Sequence, residues 1–351
     1  MDVRWISPMG LGSHLYSCAR LKAVQAPGSS NWITAFPSGP DTTMTDFQFC
    51  TASSMRLNIH PMLCTKEAIA FTEDCLSCHT EDALNQNHWH WVGCNAHLKD
   101  FTTRHNSLCN VLARHIGLLH AEVISEPTDE FVDSDLRPDL KVSLHQQVYY
   151  FDFTVAHPLT ESNLTSAQAV LGTTTRSEGI KDDKYLGFCE QLGAKFVPFA
   201  FEAYGGLGAR AKEFLSSLAR FARENSHVIP PGEIMNSIRY SLAVVLQKGN
   251  ALIIQRAMNK ATSEANKVAP DHIKRSVSAS SPKKQRKTFV LKSPKKQSIA
   301  LVLRTPPNKQ SRAVVLRRGS TITPSRSVIA TSSSTITPKK HIKSISLNKH
   351  Q

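Results

Sequence analysis

Val148-Tyr149-Tyr150-Phe151-Asp152-Phe153-Thr154-Val155 decides the fold. Aromatic and β-branched residues in an unbroken run predict a strand. Alternation along that strand places Val148, Tyr150, Asp152 and Thr154 on one face. Outward from it, Leu136 to Leu144 predicts the preceding strand, and Ala121 to Ser125 a shorter one before that. Thr103 to Leu119 carries Leu108, Val111, Leu112, Ile116 and Leu119 at helical spacing. Downstream, Asn163 to Leu186 predicts a helix started by Ser162 or Asn163, with Gly172 and Gly179 weakening its middle. Lys195 to Ala203 is a second apolar strand closed by Gly205-Gly206, and Ala209 to Glu224 an amphipathic helix. Helix, three strands, helix, strand, helix is an α/β arrangement on a mixed sheet flanked by helices.

The flanking segments are less regular. Up to Thr65 the pattern is sparse, punctuated by Pro27-Gly28-Ser29-Ser30 and Pro37-Ser38-Gly39-Pro40. Asn31 to Phe36 is a short apolar piece, and Met44 to Leu57 predicts a helix starting at Thr45 or Asp46. After Pro230-Pro231-Gly232, Glu233 to Ala261 predicts one long helix or two short ones. The expected division is a linker segment over 1–65, a zinc-knuckle segment over 66–98 and an α/β domain over 99–225. C-terminal helices over 226–271 and a tail over 272–351 complete it.

The net charge of +14 belongs to that tail. Residues 272–351 hold 19 Lys and Arg and no Asp or Glu, leaving 23 basic against 28 acidic residues elsewhere. So one-sided a stretch points to an extension that contacts polyanions, nucleic acid foremost, ahead of the bland reading of a solvated, disordered extension that merely keeps the protein soluble. Ser281-Pro282-Lys283-Lys284-Gln285 recurs twelve residues later as Ser293-Pro294-Lys295-Lys296-Gln297. Such turns can present Lys283, Lys284, Lys295 and Lys296 to a narrow minor groove, or serve as nuclear-localisation signals. No apolar run of about 18 residues predicts a membrane span. The N-terminus has no apolar signal core, so the eight Cys are expected as thiols or metal ligands rather than disulfides.

Cys75-Leu76-Ser77-Cys78 is a Cys pair with two residues between, and His90-Trp91-Val92-Gly93-Cys94 follows at a suitable distance. A tetrahedral Zn²⁺ takes four such ligands, so Cys75, Cys78, His90 and Cys94 are the expected structural zinc site. It would hold together a segment too polar to build a core of its own. His79, His88 and His97 compete for the His position, and Cys64 is a spare. The bland reading is a chance Cys pair in a His-rich loop with Trp89 and Trp91 packed inward. Cys18, Cys50, Cys109 and Cys189 are expected as buried apolar residues.

Arg137-Pro138-Asp139-Leu140 stands thirteen residues before Asp152. A carboxylate among aromatics is costly unless paired, hydrogen-bonded or metal-bound. Two on neighbouring strands would make a hard-oxygen site suited to Mg²⁺, able to activate water beside a phosphate. Lys181-Asp182-Asp183-Lys184-Tyr185 could bring an ammonium to the same phosphate. The competing reading makes Asp139 a turn cap, pairs Asp152 with Arg137, and leaves the lysines on a solvated helix face.

Taken in order, Cys75-x-x-Cys78, His90-x-x-x-Cys94, Arg104-His105-Asn106, Arg137-Pro138-Asp139, Asp152-Phe153-Thr154-Val155 and Lys181-x-x-Lys184-Tyr185 resemble the C-terminal region of non-LTR (LINE-type) retrotransposon polyproteins. There, in elements of the restriction-like type, a zinc knuckle precedes a nuclease of the PD-(D/E)xK class. Trp32 to Pro37 and Phe47 to Leu57 are similar to the segment between polymerase and knuckle, so the resemblance covers roughly residues 18–260. It implies a restriction-endonuclease-like fold in which Asp139 and Asp152 bind catalytic Mg²⁺, Lys181 or Lys184 contacts phosphate, and Tyr185 is accessory. The implied reaction is Mg²⁺-dependent nicking of target DNA, which primes reverse transcription. The implied partners are DNA or RNA and a separate reverse transcriptase acting in trans, in the nucleus or in the cytoplasm before import. The alternative is a catalytically inactive, zinc-dependent DNA/RNA-binding remnant.

Three departures accompany the resemblance. No polymerase-like sequence precedes Trp32, Thr154 stands where the (D/E)xK pattern has Lys, and the basic tail lies outside the similarity.

Overall fold

The computed structural model of the chain describes residues 11–61, 73–75, 77–131, 136–225 and 230–268. Three helices come first: α1 (Leu11–Gln25), the short α2 (Asn31–Thr34) and α3 (Asp46–Leu57). α3 starts where its chemistry says it should. The Thr45 side chain accepts from the Gln48 N–H and the Gln48 side chain accepts from the Thr45 N–H, a reciprocal capping box. It stops at Asn58, which takes the left-handed conformation (φ 59°). α1 falls in the stretch read as sparse. Its buried face is made of Ala19 and Ala23, with Leu15 and Leu21 left exposed, so it carries no large-residue stripe to read.

The short α4 (Ala83–Gln86) and two 3₁₀ turns, His90–Gly93 and Asn95–His97, lead into α5 (Leu98–Gly117). The sheet follows as β1 (Glu122–Ser125), β2 (Leu140–Leu144) and β3 (Gln147–Ala156). β2 and β3 join through a two-residue turn with His145 at φ 56°. Next come α6 (Glu161–Leu164), a 3₁₀ turn Ser166–Gln168 and α7 (Gly172–Gln191). β4 (Lys195–Glu202), α8 (Ala209–Asn225) and the 38-residue α9 (Pro231–Val268) close the described chain.

The helix expected over Asn163 to Leu186 is therefore broken. Leu171 adopts φ 60°, and a Cβ on Gly172 would lie 1.9 Å from the Ser166 carbonyl oxygen. Gly172 starts α7 rather than weakening its middle, because only glycine permits that approach.

Strand order is β1-β2-β3-β4, antiparallel between the first three and parallel between β3 and β4. This is the mixed α/β sheet expected. Asp152 stands opposite Pro198, which is tolerated because β4 is the outer strand. The two faces of β3 bury different partners. Phe151 and Phe153 join the larger core with Leu108 and Leu112 of α5, Phe214 and Leu218 of α8, and Ile238 and Leu242 of α9. Tyr150 faces the other way, into a smaller cluster with Tyr185 and Cys189 of α7, Phe131 and Phe196. Asp152 shares that second face, which positions it over α7.

A further core gathers Ala19 and Ala23, Met55, Cys75, Leu84, Trp89, Trp91, Val92, Cys94, Tyr204 and the Ile254–Met258 part of α9. Trp89 is 0% exposed and Trp91 1%. The cysteine-rich segment is thus not too polar to bury itself, and its tryptophans pack inward as its thiols converge. Cys109 and Cys189 are buried as expected, whereas Cys50 is exposed and Cys18 partly so. Cys50 lies on the face of α3 opposite the buried Ala52 and Met55, and the Cys18 Sγ lies 3.7 Å from His14 Nδ1. Among the described residues no helix is long and apolar enough to cross a membrane. Cys64 and the four tail lysines, Lys283, Lys284, Lys295 and Lys296, lie outside the described residues.

Candidate metal centre and acidic site

Cys75, Cys78, His90 and Cys94 place one ligand atom each within 4.8 Å of one another. Local backbone builds the first half. The His79 N–H donates to the Cys75 carbonyl (2.7 Å) and the Cys75 N–H to the Thr80 carbonyl (3.0 Å), folding the Cys pair into a tight knuckle. Cys75 and Cys94 Sγ lie 4.0 Å apart, and Cys78 Sγ lies 3.2 Å from His90 Nε2. Tetrahedral Zn²⁺ with bonds near 2.0–2.3 Å separates its ligands by roughly 3.3–3.8 Å, so the donor set fits zinc.

The electrostatics agree with a metal-ready cluster. The hydrogen bond between Cys75 and Cys94 lowers the Cys75 thiol, against the opposing effect of burial, and raises that of Cys94, so the pair shares one proton. Burial alone would lower His90, but the neighbouring Cys75 and Cys78 sulfurs raise it overall. Thiolate beside a proton-rich imidazole is the arrangement in which a bound cation displaces protons.

The rival histidines are otherwise engaged. His97 bonds Ser77 Oγ (3.2 Å) and Asp100 (3.4 Å), His88 packs its ring edge-on against His60, and His79 is exposed in a left-handed turn.

Asp152 lies on the α7 side of the sheet, whereas Asp139, just before β2, reaches His105 of α5. Asp152 is 5% exposed, and both of its oxygens accept from Lys181 Nζ, at 2.7 and 2.9 Å. Burial raises the Asp152 carboxyl above its usual range, with Lys181 opposing. Asp139 precedes β2. Its N–H donates to the Phe151 carbonyl (2.7 Å), and its Oδ2 accepts from the Phe153 N–H (2.5 Å) and lies 3.0 Å from His105 Nε2. These bonds straddle Asp152 along β3, and the Asp139 charge adds to what raises the Asp152 carboxyl. Asp139 is therefore more than a turn cap.

Lys184 does not reach the carboxylates. Its Nζ lies over the Tyr185 ring and 3.2 Å from the Tyr185 hydroxyl. Tyr185 is buried and donates to the Arg137 carbonyl (3.1 Å), while the Arg137 side chain is exposed and forms no ion pair with Asp152 among the described residues. Lys181 is thus the lysine brought to the site.

Residues not singled out by position alone complete the surroundings. Arg104 is 4% exposed and donates to Asn250 Oδ1 of α9 (2.7 Å), while Asn250 Nδ2 donates to the Ala203 carbonyl (2.8 Å). His157, just past β3, is buried, and its Nδ1 accepts from the Leu159 N–H (3.1 Å). Asn250 sits 146 positions from Arg104, and no local pattern signals such a pairing.

No protein-family model matches the chain, and no curated protein matches it as a relative.

Proposed function

We propose that this chain is a retrotransposon-derived, metal-dependent DNA endonuclease module of the restriction-like type. The observation that supports it best is the buried Asp152 of β3 held by Lys181 of α7, with Asp139 before β2 near enough for its charge to act on Asp152. A buried carboxylate with a lysine partner and a second carboxylate nearby is the pattern of a working site more than of a solvated helix face.

In this reading Asp139 and Asp152 would hold Mg²⁺, both offering the hard carboxylate oxygens that ion prefers. The bound ion would lower the pKa of a water and steady charge on the scissile phosphate. Lys181 pairs with the buried Asp152 and has the ammonium needed at a phosphate oxygen. It supplies from the helix what Thr154 does not supply from the strand. Tyr185 positions the Asp139 turn by holding the Arg137 carbonyl. The Cys₃His cluster would take structural zinc, and the basic tail would add salt-sensitive affinity for DNA. Nicking of target DNA for retrotransposition, in the nucleus and with a separate reverse transcriptase, is the corresponding role.

One observation favours a second reading, the inactive DNA- or RNA-binding remnant. Lys181 satisfies both oxygens of Asp152, and such an ion pair is enough by itself to make a buried carboxylate tolerable. Conversion of supercoiled plasmid to the nicked form separates the two. Mg²⁺-dependent nicking supports the nuclease, and binding without nicking supports the remnant.

A further inference from the structure

A cleft of about 310 Å³ opens beside the Asp152–Lys181 pair. Its walls are the end of β3, the first half of α7, α5 and the His90–Gly93 turn of the cysteine cluster. Arg104, His157, Ser162, Arg176, Ser177 and Lys181 line it, and among the described residues no Asp or Glu does. The turn is pressed against this wall. A Cβ on Gly93 would lie 2.7 Å from Thr160 Cγ2 and 3.1 Å from His157 Cβ.

Two buried groups in this wall lack the partners their chemistry requires. No carboxylate pairs with Arg104 among the described residues, and its Nε has no hydrogen-bond partner. Burial lowers its guanidinium only to about 10, so it is a cation at neutral pH. A buried guanidinium without a counter-charge is strongly unfavourable unless an anion completes it. His157 presents the second. Its Nδ1 accepts from Leu159, which leaves the proton on Nε2, and that Nε2–H has no partner. Burial keeps the ring neutral, with Arg104 and His90 acting in the same direction. Nearer the mouth, the exposed Arg176 donates to Asn163 Oδ1 (3.1 Å) through one arm of its fork.

We infer that this cleft binds a phosphate of a nucleic-acid backbone, with Arg176 as its outer cation and the uncompensated charge of Arg104 in its wall favouring an anion. Guanidinium forks and neutral N–H and O–H donors without any carboxylate select phosphate over cationic or apolar ligands. The cleft's small volume admits a short piece of backbone, and Lys181 is shared between it and the acidic pair. The inference rests on the nucleic-acid reading above and adds where a strand is gripped next to the acidic pair.

The test uses the full-length, zinc-loaded protein in Mg²⁺-free buffer. Fluorescence anisotropy of a short labelled duplex is followed across a salt series for wild type, Arg176→Ala and Arg176→Lys. Inorganic phosphate is titrated in a parallel arm. Arg176 is exposed, so its variants leave the core intact, and thermal unfolding checks this. Arg176→Ala is expected to weaken duplex binding about five- to tenfold and to lower the slope of log K against log salt by about 1. Arg176→Lys is expected to keep the slope. Unchanged affinity and slope in Arg176→Ala overturn the inference. Inorganic phosphate binding that depends on Arg176 while duplex binding does not overturns the nucleic-acid source. The nuclease reading fails separately: duplex binding that needs Arg176 without Mg²⁺-dependent nicking upholds the cleft, and nicking with Arg176-independent binding refutes it.

Discussion

Lys181 meets Asp152 with one ammonium against both carboxylate oxygens, joining α7 to the middle of β3. The pair makes an otherwise costly buried carboxylate tolerable.

Removing the lysine should expose that cost. Lys181→Ala leaves Asp152 buried and unpaired, and is expected to destabilise the fold by about 1–3 kcal/mol. Lys184→Ala, which loses only contacts with Tyr185, should stay within about 0.5 kcal/mol of wild type. Urea unfolding of the two variants checks this, and equal effects would refute the assignment of Lys181.

Zinc should control the second core. Trp89 and Trp91 are buried in the same cluster as Cys75 and Cys94. Chelation, or Cys94→Ser, is expected to red-shift tryptophan emission and to lower the melting temperature, with about one Zn²⁺ bound per chain by metal analysis. Emission and melting that ignore chelation would remove zinc from the account.

Glu202 should make stability depend on pH. It is 1% exposed, and burial pushes its carboxyl up to about 7, above the usual 4.5. A raised folded pKa favours the protonated form, so the stabilisation is full below about 4.5 and is lost as pH rises through about 7. Wild type should lose up to about 3 kcal/mol between about pH 5 and about pH 8, on the scale of 1.4 kcal/mol per pKa unit. Glu202→Gln should show little of this loss, as urea unfolding at the two pH values would reveal.

Gly249 is where α9 meets α5. A Cβ there would lie 2.5 Å from Arg104 Cγ and 2.8 Å from Arg104 Cβ, too near the backbone for the side chain to swing clear. Gly249→Ala is expected to destabilise by about 1–3 kcal/mol despite the higher helix propensity of alanine. A stabilised variant in the same unfolding assay would show that the helices part easily.

Much of the fold was readable because its signals are local. The Thr45–Gln48 cap, the alternation along β3 and the Leu108–Ile116 stripe each lie within one element. The Cys₃His set was readable from spacing, since the knuckle turn is itself short. What escaped depends on weak or distant signals. α1 buries alanines, the break before α7 turns on one close approach of Gly172 to Ser166, and Arg104 finds Asn250 from across the chain. The choice between Lys181 and Lys184 likewise needed the geometry, because the two are one helical turn apart and only one faces Asp152.

The central claim is that the Asp139–Asp152–Lys181 patch cuts DNA. Its most direct test is nicking of supercoiled plasmid by zinc-loaded protein with Mg²⁺, alongside Mg²⁺-free controls, Asp139→Ala and Asp152→Ala. Nicking is expected to require Mg²⁺ and to fall by at least about a hundredfold in both variants. A folded wild type that binds the plasmid but leaves it supercoiled, or nicking that survives in both variants, would contradict it.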